Sequence, residues 1–224
     1  MSELTDAIKA GDAARVNALV DADASVLTAK ESGVTPLLLA IYHGKADLAR
    51  LLVERGAPVS FGEACALGDE VRVKEMLGAD PRLLHSRTTD GFPGAGVAIF
   101  FGHGALARWL IEQGADVNAA AENAMGVAPV HAAAAACDRE TMRMLLERGA
   151  DANARQQLDY TALHGAASRG DIEMAKLLLA HGAQRDAKAS DGMTPADVAR
   201  KYGKAEFAEW LESSSRQVDE SSSS

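Results

Sequence analysis

Aromatic residues are scarce in this 224-residue chain, at 4% of the sequence, although 47% of the residues are hydrophobic. A core with so few rings has to be built from Ala, Leu, Val and Met, which suits closely packed helices. The chain also contains no run of 18 or more apolar residues, and its first six residues include no basic or apolar stretch. These absences predict no transmembrane helix, no secretory signal and a cytoplasmic location.

Cysteine and positive charge are also limited. Cys65 and Cys137 lie far apart and form no Cys-x-x-Cys pair, so we expect both to be small buried hydrophobic residues in a reducing environment. The net charge is −9. Because nucleic acids and anionic membranes are bound through clustered Lys and Arg, neither is expected as a partner.

Motifs that carry chemistry are missing. The six histidines are isolated from one another, and no Gly-x-Ser-x-Gly, phosphate-cradling glycine loop or His-Glu-x-x-His sequence occurs. We therefore expect no catalytic site, no metal and no cofactor.

The chain does contain an internal repeat. Val-Ala-Pro-Val-His-Ala-Ala-Ala, from Val127, and Tyr-Thr-Ala-Leu-His-Gly-Ala-Ala, from Tyr160, each open a unit that continues into a leucine-rich stretch and ends in Gly-Ala. Equivalent residues such as Ala133 and Ala166 are 33 positions apart. A period of that length with a Thr-Pro-Leu-His-like opening resembles the ankyrin repeat.

A recurring alanine extends this pattern along the chain. It is followed four residues later by Gly, or once by Cys, and twelve residues later by Leu or Met. These alanines are Ala7, Ala40, Ala64, Ala98, Ala133, Ala166 and Ala199. The resemblance implies an all-α solenoid of seven helix-turn-helix units with short β-turn fingers, stabilised by stacking of neighbours.

The unit boundaries follow from the same register. We predict a repeat domain over residues 1–212, with an N-terminal capping repeat over 1–32, repeats over 33–193 and a C-terminal capping repeat over 194–212. Only 24 residues separate Ala40 from Ala64, so we expect a missing finger between the second and third units. The Ser-rich, acidic segment over 213–224 is predicted to be a disordered tail.

The family resemblance also implies roles for individual residues. His131 and His164 occupy the position at which the family's imidazole ties neighbouring repeats together through backbone hydrogen bonds. In the family, the residues just after the recurring alanine line a concave face that contacts partners. The candidate partner-binding residues are Tyr42, His43, Leu67, Phe100, Phe101, Arg169, Lys201 and Tyr202.

Two interpretations of Phe100 and Phe101 stay open on sequence alone. They form an exposed apolar, aromatic pad with Tyr42 and Leu67 beside the missing finger, or one or both fold sideways to fill the space left by that finger. Trp109 and Trp210, which precede core leucines, are expected to pack.

Two functions are compatible with these features. The first is a non-enzymatic, monomeric protein–protein interaction module that binds an unidentified protein partner through its concave face. The alternative is a regulatory or inhibitory subunit of the immunity type, which blocks a partner enzyme and whose acidic surface meets a basic partner.

Overall fold

The computed structural model describes the backbone of residues 2–31 and 33–221, and side chains as far as residue 213. This part of the chain is helical, without β-strands. Its α-helices are α1 (Glu3–Ala10), α2 (Ala13–Ala22), α3 (Pro36–Tyr42), α4 (Ala46–Glu54), α5 (Phe61–Leu67), α6 (Glu70–Ala79), α7 (Gly94–Phe100), α8 (Gly104–Glu112), α9 (Pro129–Ala136), α10 (Arg139–Glu147), α11 (Ala162–Arg169), α12 (Ile172–Ala180), α13 (Pro195–Lys201) and α14 (Ala205–Ser221). Short 3₁₀ turns at Ala24–Thr28 and Pro81–His85 follow α2 and α6.

The helices form seven consecutive pairs, one for each predicted unit. The first helices of the pairs pack against each other in one row, and the second helices form a row behind them. The first-helix row consists of α1, α3, α5, α7, α9, α11 and α13. Its members contact one another more extensively than the second helices do, so the stack curves toward the first-helix row.

Small residues explain this close approach. The recurring alanines, such as Ala40, Ala98 and Ala166, are fully buried between neighbouring first helices. Leucines of the second helices, including Leu52 and Leu145, complete a single core that runs through all the units. Because each pair buries its apolar side only against its neighbours, the stack is stable as a unit and not repeat by repeat. Trp109 and Trp210 are partly buried against this core, as predicted.

The start and end of each first helix follow from local chemistry. In α3, the Thr35 hydroxyl accepts a hydrogen bond from the Leu38 backbone N–H at 3.1 Å, and Pro36 occupies the first helical position. Glycine ends the first helices in a similar way. After α1, Gly11 adopts φ of 80°, a left-handed conformation that glycine reaches without steric cost.

Cys137 departs from this rule and from our expectation. It occupies the glycine position after α9 with φ of 55° and is exposed, so the prediction that it is buried was wrong. The position ends the helix and turns the chain outward, which leaves its side chain in solvent. Cys65, in contrast, is buried, and burial raises the pKa of its thiol to about 12.

The connection between α4 and α5 confirms the missing finger. Only residues 55–60 join the two helices, and they include no β-bridge. The Ser60 hydroxyl and backbone N–H both donate to Glu63, at 2.6 and 2.8 Å, which starts α5 with a capping box. Glu63 is buried and also accepts a hydrogen bond from Thr35, so its carboxylate links the second and third units.

The C-terminal fingers lie side by side and exchange backbone hydrogen bonds. Glu122 N–H donates to Gly91 at 2.9 Å, Gln157 N–H to Met125 at 2.8 Å, and Ser190 N–H to Leu158 at 2.9 Å. These bonds keep the fingers in register from the fourth unit to the seventh.

The last helix, α14, continues to the end of the described backbone, and the disordered tail expected over 213–224 stays a prediction. The backbone of α14 is helical through Ser221. Residues 222–224 lie outside the described part. None of the described helices has the length and apolar character that would be needed to cross a membrane.

Candidate functional site

The ends of α3 and α7 bring two distant aromatic rings together. Tyr42, the last residue of α3, stacks on Phe101 with 5.7 Å between ring centroids and 24° between ring planes. The third unit lies between them and has Ala66 at the position equivalent to Tyr42. Because that side chain is small, the two rings meet across it.

Two further rings join this pair. Phe100 contacts Phe101 edge-on at 5.2 Å, and Phe92 lies 6.5 Å from Phe100. Such arrangements are favourable beyond their buried area, by about 0.5 to 1.5 kcal/mol per pair. We refer to Tyr42, Phe92, Phe100 and Phe101 as the aromatic cluster.

A hydrogen bond fixes Tyr42 within the cluster. Its hydroxyl donates to the carboxylate of Asp90, which also accepts from the Thr88 hydroxyl at 2.6 Å. The Thr88 methyl in turn packs against Gly62, where an added Cβ would lie 2.4 Å from it. Burial, followed by the bond to Asp90, raises the pKa of Tyr42 above its usual value of 10.0. The second unit is thereby joined to the finger before the fourth, across the space of the missing finger.

Phe100 also forms one wall of a cleft of about 210 Å³ between α7, α9 and α11. Phe100 is 47% exposed, and Met125, in the finger between the fourth and fifth units, is 46% exposed. The other residues that line this cleft are Val127, His131, Ala132, Ala134, Ala135, Gln156, Thr161, Ala162 and Gly165.

The structure separates the two interpretations of the phenylalanine pair. Phe101 is half-buried against Tyr42 and the core, whereas Phe100 remains nearly half exposed. One ring therefore packs sideways and the other is free to contact a partner.

The remaining candidate residues are not members of this cluster. His43 is exposed at the end of α3, and Leu67 is half-buried against the core. Arg169, Lys201 and Tyr202 are exposed at the ends of α11 and α13. All eight candidates stay predictions as partner-binding residues.

Sequence reasoning missed Phe92, Asp90 and Met125. Phe92 and Asp90 precede the proline that starts the fourth unit, and Met125 belongs to the longest finger. An aromatic residue and an exposed methionine in polar turn segments are the signals that could have identified Phe92 and Met125.

The two histidines have the structural role implied by the family resemblance. His131 Nδ1 accepts from the Ala128 N–H at 3.0 Å, and its Nε2 lies 2.9 Å from the Ala154 carbonyl oxygen, in the next finger. His164 repeats this arrangement with Thr161 and, at 3.2 Å, the Met193 carbonyl oxygen. Burial lowers the pKa of both imidazoles, so they are neutral at pH 7.

Charges near the site are unevenly paired. In the C-terminal half of the chain, Arg139 forms an ion pair with Asp171, and Arg155 forms one with Asp159. Arg169 and Lys201 have no ion pair with any described residue. Within the described segments, no group of three or more His, Cys, Asp or Glu side chains is placed to hold a metal ion.

Comparison with known families agrees with the repeat geometry. Residues 130–179 match the family described as ankyrin repeats (many copies), and residues 32–61 match the family described as ankyrin repeat. A comparison with curated proteins found no match.

These matches and the stack of helix pairs support an ankyrin repeat protein, and the described helices form the all-α solenoid fold that the sequence predicted. Ankyrin repeats generally mediate protein–protein interactions, and the family is typically non-enzymatic.

Proposed function

We propose that this chain is a non-enzymatic interaction module that binds a protein partner through the concave face formed by the first-helix row. The observation that carries the proposal is the pairing of Phe100 and Met125. Both are nearly half exposed beside one cleft, in a chain with few aromatic residues. Exposed aromatic and methionine side chains next to a pocket are typical of interface centres.

The rigidity of the surroundings supports this function. The Phe100 ring is held by Phe92 and Phe101, and Phe101 is held by Tyr42, whose hydroxyl is bonded to Asp90. A surface that is already ordered loses little conformational entropy on binding, so more of the contact energy appears as affinity.

Affinity capture from a lysate of the source cells tests this function. The baits are the wild-type chain and the Phe100→Ser/Met125→Ser variant. Tyr42 and Phe101 are left unchanged because they are half-buried and support the fold. The control is Val71→Ser, which removes an apolar side chain that is 68% exposed on α6, in the second-helix row.

We expect the wild-type chain and the Val71→Ser control to retain a protein that the double variant loses. Recovery of the same proteins by all three baits would show that the cleft is not the binding site. If the captured partner is an enzyme, its activity with and without the chain would separate inhibition from simple association. A monomeric state, a cytoplasmic location and the absence of nucleic-acid binding stay predictions.

A further inference from the structure

The chemistry around the cleft indicates what kind of partner segment it accepts. Resting on the function proposed above, we infer that the partner inserts one large apolar side chain beside Phe100 and Met125. We further infer that it places an Asp or Glu, two or three residues away, against Arg169 and Lys201.

The size and lining of the cleft define the apolar part. Its volume of about 210 Å³ is smaller than the roughly 300 to 1,000 Å³ of small-molecule sites, and it suits a single side chain. Ala132 and Ala135 on α9 face Ala162 and Gly165 on α11, so small residues leave the space open. The Met125 thioether can adapt its rotamer to the shape of the inserted group.

The position of the cations defines the acidic part. Arg169 follows Gly165 by four residues on α11, so the two lie on the same face of the helix, about 6 Å apart along its axis. Lys201 ends α13, which packs closely against α11. An extended peptide advances about 3.3 Å per residue, so two or three residues cover the distance from the cleft to Arg169, and the long side chain of Lys201 approaches from the neighbouring helix.

Charge complementarity identifies the sign of the partner's group. The chain has a net charge of −9, and Arg200, which precedes Lys201 on α13, is paired with Glu212. Arg169 and Lys201 are exposed and form no ion pair in the described part of the chain. A carboxylate placed next to the apolar anchor would be attracted to this end of the face and repelled by most of the remaining surface.

Selection of peptides from a phage-displayed library of random dodecapeptides tests the inference. The wild-type chain is compared with Arg169→Gln/Lys201→Gln. The matched control is Arg50→Gln/Arg143→Gln, which removes two positive charges from the second-helix row. Circular dichroism of each variant establishes that its helices are intact.

We expect the wild-type chain and the control to enrich peptides with a large apolar residue and an Asp or Glu two or three positions away. The Arg169→Gln/Lys201→Gln variant should bind a synthetic copy of such a peptide about 3- to 10-fold more weakly, and with less dependence on salt. Ala135→Gln, which introduces an amide into the cleft from an exposed position, should weaken binding about 10-fold.

Three results would overturn the inference. They are enrichment of apolar peptides without an acidic preference, an acidic preference that persists in Arg169→Gln/Lys201→Gln, and failure to enrich any peptide. The function proposed above would survive each of them if a captured partner still required the cleft. Selected peptides that bind Phe100→Ser/Met125→Ser as tightly as the wild-type chain would count against that function itself.

Discussion

Tyr42→Phe removes one hydroxyl and keeps the ring that stacks on Phe101. The lost interaction is the hydrogen bond to the Asp90 carboxylate, which joins the second unit to the finger of the fourth. Hydrogen bonds to charged groups contribute about 1.5 to 3 kcal/mol when they are buried. Tyr42 and Asp90 are only half-buried, so water can replace part of the bond. We therefore expect a loss of about 1 kcal/mol in the free energy of unfolding.

The pH dependence of this loss follows from the raised pKa of Tyr42. In the unfolded chain the phenol ionises above its usual pKa of 10.0, whereas in the folded chain it keeps its proton to higher pH. The contribution of Tyr42 is thus complete below pH 10 and falls as the pH rises further, by up to about 1.4 kcal/mol per pH unit. Phe has no proton to lose, so the advantage of the wild-type chain over the variant should disappear near pH 11.

Urea unfolding followed by circular dichroism at pH 8 and pH 11 measures both effects. Tyr202→Phe is the control, because Tyr202 is 58% exposed and its hydroxyl has no hydrogen-bond partner among the described residues. The Tyr202→Phe variant should have the same free energy of unfolding as the wild-type chain at pH 8. Equal stability of Tyr42→Phe and the wild-type chain at pH 8 would refute the proposed link between the units. A difference that persists unchanged at pH 11 would refute the assigned role of the phenol proton.

Three further predictions concern backbone geometry and buried histidine. Cys137→Gly should raise the free energy of unfolding by about 0.5 to 1 kcal/mol. The left-handed backbone of Cys137 costs about 1 to 2 kcal/mol in strain, which glycine avoids, although glycine loses more backbone entropy on folding. Cys137→Ser should have no effect on stability, and equal urea midpoints for the two variants would contradict the strain. Gly68→Ala should lower the free energy of unfolding by about 2 kcal/mol, because φ of this residue is 69° and the new Cβ would lie 2.4 Å from the His103 ring. Gly56→Ala, with positive φ but open space, should cost only about 1 kcal/mol, so equal losses would argue against the clash. The free energy of unfolding should fall as the pH drops below 6.5, by up to about 1.4 kcal/mol per pH unit for each of His131 and His164, because the pKa of each is lowered in the folded chain. If the slope of stability against pH is the same in His164→Gln as in the wild-type chain, His164 does not contribute.

The period, the number of units and the position of the missing finger could be predicted because each depends on residues close together in the chain. Thr35 and Pro36 start a helix, Gly11 ends one, and the interval between Ala40 and Ala64 leaves no length for a finger. Sequence reasoning was less successful where local preference and position disagree. Cys137 is exposed although cysteine is usually buried, because it occupies a turn.

The candidate site could be predicted only in part. The neighbouring residues Phe100 and Phe101 are distinguishable as candidates from their positions after a recurring alanine. Which of them packs and which faces solvent depends on Tyr42, which is supplied by a helix two units away.

The sequence by itself therefore determined the repeat architecture, since caps, turns and apolar stripes are properties of short segments and recur with them. The tertiary structure alone decided which side chains meet across units. It placed Tyr42 against Asp90 and Phe101, and it placed Met125 beside Phe100. These contacts depend on the space left by the missing finger and on how closely neighbouring units stack. Neither of these is a property of any single repeat.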